Sequence, residues 1–70
     1  MKVYTVMYEE YLHEPPVVMG VYSTLARAYH EVQACFDPME KIKDEVVTDE
    51  CIEISTNIDV YWIYINTVDE

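Results

Sequence analysis

The segment Met19–Phe36, MGVYSTLARAYHEVQACF, limits the folds open to this chain more than any other stretch, because three local signals agree within it. A strand-like run ends at Tyr22, Ser23 and Thr24 follow, and an amphipathic periodicity begins at Leu25. Ser and Thr are good helix N-caps, since a side-chain oxygen there accepts a backbone N–H that has no partner inside the helix. Leu25, Ala28, Tyr29, Val32, Cys35 and Phe36 then draw one apolar stripe at the 3.6-residue period, with Arg27, His30, Glu31 and Gln33 opposite. Asp37-Pro38 closes the pattern, because the residue before proline is pushed out of helical angles and proline lacks the next donor. The spacing predicts a strand feeding directly into one helix of three to four turns.

On either side the chain reads as β-structure. Lys2–Tyr8 has Val3, Thr5 and Met7 on one face and Tyr4, Val6 and Tyr8 on the other; Val17–Tyr22 is the strand before the helix. Between them, EEYLHEPP carries two prolines that forbid helix. Gly20 marks close packing or a bulge in the second strand. Cys51–Ser55 and Val60–Thr67 are strands joined by a tight turn at Thr56, Asn57, Ile58 and Asp59. In the last of them Val60, Trp62 and Tyr64 share one face and Tyr61, Ile63 and Ile65 the other. For residues 37–50, DPMEKIKDEVVTDE, the expectation is that Pro38 opens a short helical turn. Met39 and Ile42, or Ile42 and Val46, then pack inward, and Glu40 and Asp44 lie outside four apart.

The predicted order is β-β-α-β-β, an α+β fold with a single four-stranded antiparallel sheet and one helix packed on one face, all in one domain spanning residues 1–70. A single helix covers one sheet face, yet the first and last strands are apolar or aromatic on both. The surplus is buried by a homodimer that pairs sheets, by a protein partner, or by EEYLHEPP and DPMEKIK folding over the second face.

A chain of 70 residues buries only about 60% of the surface it exposes when unfolded, which leaves little room for a deep enzyme cleft. With 51% hydrophobic residues and a single glycine it is nonetheless the composition of a folded protein. Nothing at the N-terminus, MKVYTVMYEE, looks like a signal peptide, and no apolar run reaches the 18 or so residues of a membrane span. The expectation is a soluble cytoplasmic protein in which Cys35 and Cys51 are free, buried thiols.

No motif carries catalytic chemistry. Glu9, Glu10, His13 and Glu14 resemble a helical Glu/His ligand pair, but Pro15 and Pro16 deny them a helix. His30 lies on the polar face of the helix with no second ligand one turn away. Cys35 and Cys51 are sixteen apart without C-x-x-C, no Ser or Thr has a placed His and acid, and one glycine cannot cradle a phosphate. No catalytic, cofactor or metal site is expected.

The charge is more informative. The chain carries 14 acidic and 4 basic side chains, a net charge of −10, split as −2 over residues 1–35 and −8 over residues 36–70. Such a field repels nucleic acid and anionic membrane and attracts basic surfaces; the plainer reading is that it keeps a tyrosine-rich chain soluble. Asp37, Glu40, Asp44, Glu45, Asp49, Glu50 and Glu53 recur every one to five residues, a spacing comparable to the ~3.4 Å repeat of charge along a DNA strand or its multiples. With Tyr61 and Tyr64 as aromatic anchors, they are the expected partner-binding residues.

Met1–Tyr4 and Gly20–Ala28, M-K-V-Y and the G-V-Y-S-T strand-to-cap junction with an alanine-bearing helix, cover about a fifth of the chain. In these residues and in its closing aromatic strand the chain resembles small bacterial and bacteriophage proteins. Its size and acidity are also similar to those of phage inhibitors of host defence, the anti-CRISPR and anti-restriction proteins. The resemblance implies a non-enzymatic inhibitor, a DNA mimic in logic, that binds a basic, nucleic-acid-handling host protein in the host cytoplasm. The alternative is a self-associating structural or regulatory module, a homodimer built through its sheet. Neither takes a cofactor, binds nucleic acid directly or touches a membrane.

Overall fold

Thr24 is the cap. Its hydroxyl accepts the backbone N–H of Arg27 at 3.2 Å while its own backbone stays extended, and α1 runs from Leu25 to Ala34. The computed structural model describes residues 1–9 and 16–68. In chain order the elements are β1 (Lys2–Glu9), β2 (Val17–Tyr22), α1 (Leu25–Ala34), β3 (Ile42–Val47), β4 (Cys51–Thr56) and β5 (Val60–Thr67). All pairings are antiparallel, in one sheet of order β2-β1-β5-β4-β3. Among the described residues the fold is therefore α+β with one sheet and one helix, as the sequence implies, but with five strands rather than four.

The fifth strand corrects the expectation for residues 37–50. Only Asp37–Glu40 turns, with the Glu40 N–H donating to the Asp37 carbonyl at 2.9 Å. Met39 is 79% exposed rather than packed inward, and Ile42–Val47 pairs along β4. The Ile42/Val46 spacing imitates a helix stripe, but ladder bonds to β4 outweigh so weak a local preference. The helix also stops at Ala34, three residues before Asp37-Pro38, because Cys35 and Phe36 donate to carbonyls only three residues back, at 3.1 Å each, and tighten the last turn.

Strand alternation sorts the side chains as expected. Val6 of β1, Ile52 and Ile54 of β4, and Tyr61 and Ile63 of β5 face the helix and meet Ala28 and Val32 in the core. Leu25, Tyr29 and Phe36 of the predicted stripe pack against that core, whereas Cys35 caps the helix and is exposed. Gly20 satisfies both of its readings. The β1–β2 register slips beside it, and a Cβ there would stand 2.6 Å from the Tyr22 hydroxyl, so the Tyr22 ring lies over the bare backbone.

The opposite face carries a continuous cross-strand row, Val18–Met7–Trp62–Glu53–Val46, flanked by Val21–Thr5–Tyr64–Cys51. α1 packs against β1, β2 and β5 from the other side, and among the described residues no helix or strand covers this face. Nor does the 37–43 segment fold over it, since Glu40 turns toward Thr56 and Tyr61 on the helix side. The part of EEYLHEPP from Glu10 to Pro15, with its Glu10/His13 pair, lies outside the described residues. Among those described, no helix is long and apolar enough to cross a membrane.

Candidate functional site

The sheet order turns a gradient in sequence into a gradient in space. β2 and β1 come from the nearly neutral first half of the chain, and β4 and β3 from the acidic half, so the carboxylates collect at the β4–β3 end. Asp44 and Glu53 share the uncovered face. Asp44 lies opposite Ser55 and Val46 opposite Glu53, which makes the two acids a diagonal cross-strand pair about 7–8 Å apart. Asp49 and Glu50 occupy the two-residue β3–β4 turn. Thr48 closes that turn, donating its N–H to the Cys51 carbonyl at 2.9 Å and accepting the N–H groups of Glu50 and Cys51 at its hydroxyl. Asp37 is exposed but stands apart from these carboxylates, beside Tyr8, Met19, Cys35 and Tyr61.

Glu45 points the other way. Its carboxylate accepts the Tyr29 hydroxyl at 2.6 Å and ties the helix to β3. The Tyr29 phenol is pushed up to about 12, by burial first and then by the Glu45 bond and charge. A proton held more tightly in the folded chain stabilises it fully below pH 10, and that contribution is lost as pH rises through 12. Tyr29→Phe is therefore expected to cost about 1 kcal/mol at neutral pH and to flatten the fall in stability between pH 10 and 12, read by urea denaturation across that range.

Two of the expected partner-binding residues are interior. Glu40 is 7% exposed and Tyr61 1%. The Glu40 carboxylate accepts the Asp37 N–H at 3.1 Å, the Thr56 hydroxyl at 2.5 Å and the Tyr61 hydroxyl. Thr56 also anchors the β4–β5 turn, and Asn57 stitches the 37–41 segment to it, accepting the Lys41 N–H at 2.8 Å and donating to the Met39 carbonyl at 3.3 Å. These groups hold β3's approach to the sheet and do not reach a partner. Tyr64, by contrast, is 38% exposed on the uncovered face, and Trp62 shares that face as their alternation in β5 predicts.

Among the described residues one ion pair forms, Arg27–Glu31 at 3.8 Å, on the exposed side of the helix. Among the described residues none of Asp44, Asp49, Glu50 and Glu53 forms an ion pair, although Lys2 lines the same cleft as Asp49 and Glu50. Both thiols are free; burial and then neighbouring carboxylates push Cys35 and Cys51 up, the reverse of what activates a thiolate. No group of three or more His, Cys, Asp or Glu among the described residues is arranged to hold a metal. What this surface offers is an excess of negative charge beside apolar and aromatic side chains. Comparison with models of known families, with curated proteins and with solved structures gives no match in any of the three.

Proposed function

We propose that this protein is a non-enzymatic inhibitor of the phage type, which docks the acidic end of its sheet on a basic, nucleic-acid-handling protein in the cytoplasm of a host cell and competes with the nucleic acid there. The observation that carries the reading is the set of exposed Asp44, Asp49 and Glu50 and half-buried Glu53, none in an ion pair among the described residues, at one end of a sheet whose adjoining face presents Trp62 and Tyr64. Charge of this kind steers a partner and sets register, and the aromatic side chains supply area that desolvates on contact. Glu45 contributes charge while bound to Tyr29, whereas Asp37, which lies beside Tyr8 and Met19 and away from β3, and the buried Glu40 and Tyr61 take no part.

The protein immobilised as bait in bacterial lysate is expected to retain a basic, nucleic-acid-binding protein that elutes with salt. Against that purified partner, lysines at positions 44, 49, 50 and 53 should weaken binding sharply. Exposed pairs are worth about 0.2–1 kcal/mol each, so four lost pairs amount to roughly a 4- to 900-fold rise in Kd. Affinity that ignores both salt and the reversed charges rejects the reading.

A further inference from the structure

The two edges of the sheet differ in a way the acidic end does not explain. β3, at one edge, carries Lys43, Asp44 and Glu45 in its centre, the side chains that natural proteins place on an edge strand to keep other strands away. β2, at the other, reads Val-Val-Met-Gly-Val-Tyr without a single charge. Val17, Val18 and Val21 are 57, 55 and 58% exposed. Among the described residues no strand pairs with its outward N–H and C=O groups, which with its valines form a pairing edge that lacks the charges guarding β3.

We infer that β2 is a self-association edge, at which a second copy of this chain adds its own β2 antiparallel across a two-fold axis to make one continuous ten-stranded sheet.

Charge selects both the occupant and the edge. Joining two copies through β3 would set their acidic strands one spacing apart, about 4.8 Å. Joining them through β2 puts the two β3 strands at the outer ends, nine spacings or about 43 Å apart, roughly five Debye lengths at physiological salt. An uncharged edge has nothing to attract a strongly charged foreign strand, while a two-fold supplies each copy with the same apolar surface it presents. With the axis between Met19 and Gly20, Val18 of each copy lies opposite Val21 of the other, and the Val18–Met7–Trp62 row continues across the axis into the other copy's Val21–Thr5–Tyr64 row. The slip in register at Met19 shortens the regular stretch of β2, and six residues bury well under the ~800 Å² per partner of a standard interface, so the dimer is micromolar in strength. This inference stands apart from the inhibitor reading, because β2 carries none of the acidic residues.

Sedimentation equilibrium of the full chain between about 5 and 500 µM is the test. The mass is expected to rise from 8.3 kDa toward twice that value. Hydrogen exchange at residues 17–22 should slow at least ten-fold over the same range, while exchange at 42–47 stays constant. The double variant Val18→Lys/Val21→Lys should remain at 8.3 kDa with unchanged circular dichroism, and Tyr64→Lys, on the uncovered face away from the edge, should still dimerise. A wild-type chain that stays monomeric throughout overturns the inference. So does association that protects 42–47 in place of 17–22, or association abolished by Tyr64→Lys without protection of β2, which would mean that faces stack.

Discussion

Tyr61→Ala is expected to leave the chain without a cooperative unfolding transition at 25 °C. Tyr61 sits where every layer of the molecule meets. It pairs with Tyr8 of β1 and Ile54 of β4, its ring lies 5.2 Å from that of Tyr8 and 5.4 Å from that of Phe36, and its hydroxyl donates to Glu40. Truncating a buried aromatic to alanine costs about 3–5 kcal/mol through lost transfer energy and the cavity left behind. A domain of this size holds about 3.5–10 kcal/mol in total, at about 0.05–0.15 kcal/mol per residue, so the loss removes from about a third of it to all. Tyr61→Phe keeps the ring and gives up one hydrogen bond, a loss of about 1 kcal/mol. Urea denaturation followed by circular dichroism separates the two: no plateau of folded signal for alanine, a modestly shifted midpoint for phenylalanine. An alanine variant that unfolds near the wild-type midpoint would show that the core does not depend on this ring.

Removal of Glu40 should come close behind, although the site is a carboxylate near the surface of the chain's most acidic stretch. Its three donors come from separate places: the Asp37 N–H in its own turn, the Thr56 hydroxyl from the end of β4, and the Tyr61 hydroxyl from β5. Glu40→Ala strands all three at a position only 7% exposed, and each orphaned buried group costs about 1–3 kcal/mol where water cannot reach it. A loss of about 3 kcal/mol is expected. Glu40→Gln keeps one oxygen as an acceptor and offers an NH₂ that a hydroxyl can accept, so about 1 kcal/mol is expected there. The two values are read from midpoints of urea unfolding at pH 7. Equal losses for alanine and glutamine would mean that the negative charge, and not the bond geometry, is what the site requires.

These two residues also mark where the sequence stops being legible. The helix, its cap and its inward stripe are local features, and Thr24, Ala28 and Val32 take the places their spacing assigns. The faces of β1 and β5 follow from simple alternation. β3 does not announce itself because all six of its residues are exposed, so no alternation of burial is imposed on them, and the Ile42/Val46 step imitates a helix. Val46-Val47-Thr48 before a two-residue acidic turn was the one strand signal available. Glu40 and Tyr61 read as surface groups, one among many acids and one among many tyrosines. Their burial depends on Thr56 and Asn57, sixteen residues beyond Glu40 and Lys41, and no local pattern records that contact. The acidic end itself was legible as charge, but its compactness comes from sheet order, which sets β3 beside β4 and both far from β2.

That same order has a kinetic consequence. β2-β1 and β5-β4-β3 are each built from neighbours in the chain, while the seam between them, β1 against β5, joins Lys2 to Thr67 and Glu9 to Val60. The longest loop to close is thus the one at the centre of the sheet, and the helix can bury its stripe only after β5 arrives beside β1, because the core draws on both. Closing a loop of some fifty to sixty residues has to precede most of the contacts that reward it, which places the folding barrier late and at the seam. Each half has an open apolar side until the seam closes, because the core is shared between them.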